Sequence, residues 1–287
     1  MNCEYKRISD FRALYEYYCA VKSAVPYWFD ADYELWLESF NEDTDYEAEK
    51  MFDELVTYAA FSGADIVGFI QFGRSRYIYN ERGEKDRCGG GIIRSLFFDK
   101  EHSCGEGLVS LAEDYFRSRG ISKKYAFFHA LGMTCNAGHG KLFCGLPHIE
   151  EALLKYGYVR EHENVYYKRT LSPNDSSFSG SVSIQYGERT PKGIREFSIF
   201  CGGKTVGAGA LAYLPQGGIC YLRWIYIHDN EQWKGYATAA LKALFSDLYS
   251  GGTLRLDTDT ADGSTAAQRL YEKVGFTDMG RTRSYLK

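Results

Sequence analysis

In this 287-residue chain the segment Gln232-Trp233-Lys234-Gly235-Tyr236-Ala237 joins a β-branched and aromatic run to a stretch of helical spacing. The first N–H groups of a helix lack partners within it, and the helix dipole adds positive charge there. Such a turn is a seat for a phosphate or pyrophosphate. Gly235 and Ala237 are small enough to let the backbone approach that ligand. Other chemistry-bearing residues form weaker patterns. His129, His139 and His148 with Cys135 and Cys144 have neither an i, i+4 helical pair nor a zinc-finger spacing, so no metal site is expected. Cys104 lacks the basic context that favours a reactive thiolate. The acidic stretch 42–54 reads as a solvated helix face.

The elements around the loop follow from periodicity. Residues 194–201 and 205–214 read as two strands about the turn Gly202-Gly203, and 219–227 (ICYLRWIYI) as a central strand. Residues 237–249 repeat apolar side chains at helical spacing and end at Gly251-Gly252. A strand at 253–258, a helix at 265–274 and a last strand at 282–286 complete the half. The N-terminal half follows a similar order after a helical insert. Helices are expected at 11–24 and 32–55, strands at 56–62, 66–72 and 91–98, a helix at 108–119, a strand at 125–131, a helix at 149–156 and a closing strand at 158–168. Length alone favours two domains. The Ser, Pro, Asn, Asp and Gly residues of 171–180 mark the linker, giving domains 1–170 and 181–287.

With strand before it and helix after it, the loop resembles the coenzyme A loop of the GNAT superfamily of N-acetyltransferases, Q/R-x-x-G-x-G/A. Thirty residues downstream, 267–276 (AQRLYEKVGF) is similar to that family's A-x-x-L-Y-x-x-x-G-F helix end. The resemblance implies an α/β (α+β) fold of two tandem GNAT-like domains, each a mixed, mostly antiparallel sheet flanked by helices. It also implies acetyl-coenzyme A as cosubstrate, bound by Ile225, Tyr226, Ile227, Gln232, Trp233, Lys234, Gly235, Tyr236, Ala237, Thr238, Ser264 and Tyr271. Ile225 and Ile227 would offer backbone groups to the pantetheine arm, and Tyr271 would protonate the departing thiolate. Ser264 stands where the family often has Asn. The strand glutamate of the histone acetyltransferase branch falls on Tyr221, so Asp257, Asp259, His228 or ordered water is left as the base.

The N-terminal half carries His102-Ser103-Cys104-Gly105-Glu106-Gly107 at the equivalent place, with Glu106 facing where phosphates would lie, and Leu153 in place of the helix tyrosine. It reads as a degenerate copy. The implied activity is acetyl transfer to a primary amine of a small molecule or peptide; the rival is a non-catalytic acetyl-coenzyme A or coenzyme A sensor or interaction module. With 34 basic and 38 acidic residues, the chain lacks the basic footprint of a nucleic-acid binder. It has no apolar run of membrane-spanning length and no paired cysteine motif. A cytoplasmic protein, monomeric or homodimeric, is expected.

Overall fold

A computed structural model describes residues 3–42, 44–45, 47–80, 84–129, 131–175 and 180–287. Its contacts divide the chain into two compact units, Met1–Glu163 with Thr282–Lys287, and Asn164–Arg281. In the first unit the chain forms β1 (Glu4–Arg7), α1 (Arg12–Val21), α2 (Tyr33–Asn41), β2 (Phe52–Ser62), β3 (Asp65–Ser75), the short β4 (Ile78–Tyr79) and β5 (Lys85–Asp86), and β6 (Gly90–Phe98). There follow α3 (Gly105–Ser118), β7 (Lys124–Ala126), β8 (Leu142–Phe143), α4 (Pro147–Lys155) and the start of β9 (Val159–Thr170). The sheet runs β1-β2-β3-β6-β7. Its β6–β7 neighbours are parallel and the others antiparallel.

The second unit holds the rest of β9, then β10 (Val182–Arg189), β11 (Ile194–Cys201), β12 (Lys204–Tyr213), β13 (Ile219–Ile227), α5 (Tyr236–Ser250), β14 (Arg255–Ala261), α6 (Thr265–Lys273) and the start of β15 (Thr277–Leu286). Its order is β9-β14-β13-β12-β11-β10, with β13 and β14 parallel. The apolar stripe of α5, Ala240, Leu241, Leu244, Phe245 and Leu248, packs into a core with Ile199, Leu211, Leu222, Leu256 and Phe276. Full burial of each large side chain contributes about 1.5–3 kcal/mol, so this face holds the helix, and its N-terminus, in place.

Several expectations change. The units divide inside β9 and inside β15, not at 171–180, of which 176–179 lie outside the described residues. Residues of β9 from Asn164 to Thr170 pair antiparallel with β14, while Tyr285 and Leu286 of β15 pair with β7. The closing strand of each sequence half thus ends in the unit built mainly from the other half. Periodicity identifies a strand but not the edge whose free backbone groups it will satisfy. The helix expected at 32–55 ends at Asn41, and β2 begins at Phe52. The acidic side chains between them are not a solvated helix face: Asp45, Glu47 and Glu49 converge on the Lys85 ammonium at 2.7, 2.8 and 2.6 Å. A shared cation draws the carboxylates into a turn that repulsion along one helix face would oppose. The strand expected at 125–131 stops at Ala126 because Phe127 turns to φ 56°; Ala130 lies outside the described residues. Finally, β10 pairs with β11 as an added edge strand that its mixed polar sequence did not announce.

Candidate functional site

Parallel pairing of β13 with β14 runs from Ile219↔Arg255 to Leu222↔Thr258 and then stops. Both strands continue, β13 to Ile227 along β12 and β14 to Ala261 along β9. They therefore part into a V whose vertex lies at Leu222 and Thr258, and this vertex is the mouth of the candidate site. A bulge helps open it: Leu211 pairs with Leu222 but Ala210 with Trp224, which leaves Arg223 as the extra residue and bends the strand. His228 N–H bonds to Val206 O at 2.9 Å, so alternation turns the backbone groups of Tyr226 toward β12 and those of Ile225 and Ile227 toward the open side. The side chains of Ile225 and Ile227 pack on the core, whereas Trp224 and Tyr226 lie exposed on the opposite face, stacked with ring centroids 5.8 Å apart.

Just past β13, residues 229–231 form a short 3₁₀ turn, and 232–235 reach α5 as exposed chain. Gly235 is the N-cap of α5 at φ 84° and offers no side chain to cap it. The first helical bond is Ala239 N–H to Gly235 O at 3.1 Å, so the N–H groups of Tyr236, Ala237 and Thr238 have no acceptor within the helix. A Cβ at Gly235 would meet nothing within 4 Å. The seat is open.

The loop is fixed from below. Glu231 is buried and takes Lys204, at the start of β12, and Lys234 at 2.8 Å; these two hydrogen bonds hold its carboxyl down to about 2. Lys234 also donates to Asn230 O at 2.9 Å, and the Gln232 amide donates to Ile227 O at 3.2 Å and to Asp229 at 3.1 Å. Because the carboxyl is depressed in the folded protein, the clamp is present at neutral pH. It is lost only as pH falls from the ordinary carboxylate range through about 2. Glu231→Gln is expected to speed amide hydrogen exchange across 232–237 at pH 7 while leaving β10–β11 protected. Unchanged exchange in the loop would show that the clamp does not restrain it.

At the mouth of the V the titratable groups sort by face. Tyr271 of α6 is buried between Tyr167 and Phe276, with ring centroids 5.5 and 5.4 Å away, and its hydroxyl lies beside Thr258. Thr258 in turn donates to Leu222 O at 2.9 Å. The ring belongs to the core, and the hydroxyl reaches the last rung before the splay. Burial raises the phenol pKa, so it stays protonated. Asp259, the next residue of β14, points to the other face. It accepts from Tyr221 Oη at 2.6 Å and from Asn164 Nδ2 at 2.6 Å. Burial, and then the Asp259 charge, push the Tyr221 phenol well up, so Tyr221 is a donor there and no base.

Of the three side chains considered as base, Asp257 is sealed: it is fully buried, paired with Arg255 at 2.5 Å and bonded to Tyr166 Oη at 2.6 Å. His228 lies in the exposed aromatic row, 5.6 Å from Tyr226. Six residues of strand separate it from Leu222, roughly 17–20 Å at about 3.3 Å each. Asp259 is left at the mouth, half-buried. Ser264, the α6 N-cap, is exposed and makes no side-chain capping bond. Neither Asn164, which precedes the expected linker, nor the pairing of Tyr221 with Asp259, which only the strand register creates, is visible in the sequence.

The equivalent turn of the first unit is filled. The Phe98 ring occupies the space in front of Gly105 and Tyr5 Oη that in front of Gly107, where a Cβ would clash with each. Tyr5 Oη also donates to Cys104 O at 3.3 Å, and Lys155 pairs with Glu106.

Residues 158–276 match the model of the Acetyltransferase (GNAT) family, a span that begins just before β9 and closely follows the second unit. No curated protein matches the chain. Among solved structures, a GCN5-related N-acetyltransferase from Sphaerobacter thermophilus superposes with TM-score 0.66 at 11% identity, covering 99% of this chain and 95% of that one. A tandem GNAT protein from the clavulanic acid biosynthesis pathway gives 0.58 at 10% identity, covering 100% and 98%. An acetyltransferase from the GNAT family of Colwellia psychrerythraea gives 0.54 at 12%, covering 99% and 98%. At such identities these likenesses bear on fold, and they extend over both units. No described helix is long and apolar enough to cross a membrane.

Proposed function

Because residues 158–276 match the Acetyltransferase (GNAT) family model and the fold is that of tandem GNAT-like proteins, we propose that the second unit transfers the acetyl group of acetyl-coenzyme A to a primary amine of a small molecule or peptide. The observation that carries this reading is the V between β13 and β14, which leads from the open seat at α5 to a mouth with Tyr271 on one face and Asp259 on the other. The N–H groups of Tyr236, Ala237 and Thr238 would hold the pyrophosphate, and the open edge at Ile225 and Ile227 would pair with the pantetheine amides. Both supports are backbone, so they bind without discriminating among acceptors.

The acceptor approaches on the Asp259 face. Asp259 takes a proton from the ammonium or from the attacking nitrogen, and the amine forms a bond to the thioester carbonyl carbon. Backbone N–H groups at the splay stabilise the oxyanion. As the C–S bond breaks, the electron pair leaves with sulfur and Tyr271 supplies its proton, giving the amide and free coenzyme A. Proton return from Asp259 through solvent restores the phenol. Alignment of the two reactants removes about 7–11 kcal/mol of barrier in favourable cases, so a modest base suffices.

The test is mass spectrometry of a panel of primary amines and peptides incubated with protein and acetyl-coenzyme A, with thiol release followed in parallel. Acetylated product with equimolar thiol is expected. Tight acetyl-coenzyme A binding with no product from any amine would replace transfer by the sensor reading.

A further inference from the structure

Trp233 is 92% exposed, and its backbone lies at φ 66°, a conformation that bulky side chains rarely adopt. The fold thus presents a large apolar ring to solvent through a strained backbone, which singles the position out for a ligand. The neighbouring side chains of the loop are already engaged. Gln232 bonds to Ile227 O and Asp229, Lys234 to Glu231 and Asn230 O, and Tyr236 packs on the core. Trp233 alone among them extends away from the protein.

Direction supplies the second argument. On the coenzyme reading the pantetheine arm would run along β13 from the loop toward the mouth at Leu222, so what lies beyond the pyrophosphate would leave the loop on the side away from the mouth. In coenzyme A that part is a purine nucleotide, a flat π-system that an exposed indole can stack against. We infer that Trp233 is the platform for the adenine of coenzyme A and makes this chain distinguish the whole coenzyme from its phosphopantetheine half. The inference rests on the coenzyme reading above.

The experiment measures affinity for coenzyme A and for 4′-phosphopantetheine by calorimetric titration of the full chain and of Trp233→Ala and Trp233→Phe. Base–aromatic stacking predicts that Trp233→Ala weakens coenzyme A binding by roughly 5- to 150-fold. It should leave 4′-phosphopantetheine unchanged, and Trp233→Phe should retain an intermediate affinity. Coenzyme A should quench tryptophan fluorescence in the native chain and do so less in Trp233→Phe. Substitution of so exposed a side chain leaves the core intact, which an unchanged unfolding temperature checks. Equal loss for both ligands, or none for either, overturns the stacking role while the coenzyme reading stands. If the native chain binds neither coenzyme A nor acetyl-coenzyme A, the coenzyme reading fails and this inference with it.

Discussion

Tyr271→Phe is expected to slow acetyl transfer by about 10²- to 10⁴-fold, the range that a positioned general acid supplies, while coenzyme A affinity stays unchanged. The ring is packed between Tyr167 and Phe276, and phenylalanine keeps that packing. What the substitution removes is the hydroxyl beside Thr258 at the last rung before the splay. The pH profile separates acid from packing. Burial raises the phenol above its ordinary value near 10, so the native rate should show no alkaline limb from this group below about pH 10. The measurement is thiol release under single-turnover conditions with an amine found in the panel. A wild-type rate in Tyr271→Phe, with chemistry limiting, would make Tyr271 a packing residue and leave the thiolate to water.

The sequence made one part of this site legible because that part is local. Gln232 to Ala237 is a contiguous turn whose chemistry resides in small residues and free N–H groups, and the helix carrying Tyr271 is a short amphipathic run with a glycine stop. The V between β13 and β14 is different in kind. It exists because pairing ends at Leu222↔Thr258 and a bulge at Arg223 turns the strand, and neither register nor bulge can be read from the period of a run dominated by β-branched and aromatic residues, ICYLRWIYI. The same limit hid the pairing of Asp259 with Tyr221 and Asn164. These residues come from three strands, one on the far side of the expected linker, and only the β9–β14–β13 order makes them neighbours. It also explains why the three side chains considered as base looked equivalent: Asp257 and Asp259 point to the same face of β14, yet Arg255 and Tyr166 enclose only the first.

Gly235→Asp is expected to abolish measurable coenzyme binding, lowering affinity by at least about 100-fold, since like charges brought together at a binding surface cost several kcal/mol. The variant should still fold. A Cβ at this position meets nothing within 4 Å, aspartate tolerates the left-handed region better than most residues, and it is a favourable residue at a helix N-cap. A carboxylate there would accept the N–H groups intended for pyrophosphate, so the helix start gains a cap as the seat is lost. Native acetyl-coenzyme A should bind with a stoichiometry of one per chain, because in the first unit Phe98 and Tyr5 fill the space before Gly105 and Gly107 and Glu106 adds negative charge. Calorimetric titration reads both quantities in one series. Unchanged affinity in a folded Gly235→Asp protein would remove the pyrophosphate from α5. Two sites per chain would mean that Phe98 and Tyr5 swing aside and that the first unit keeps a working seat. One site that survives Gly235→Asp and disappears with Gly105→Asp would place the coenzyme in the first unit, reversing the assignment of the two halves.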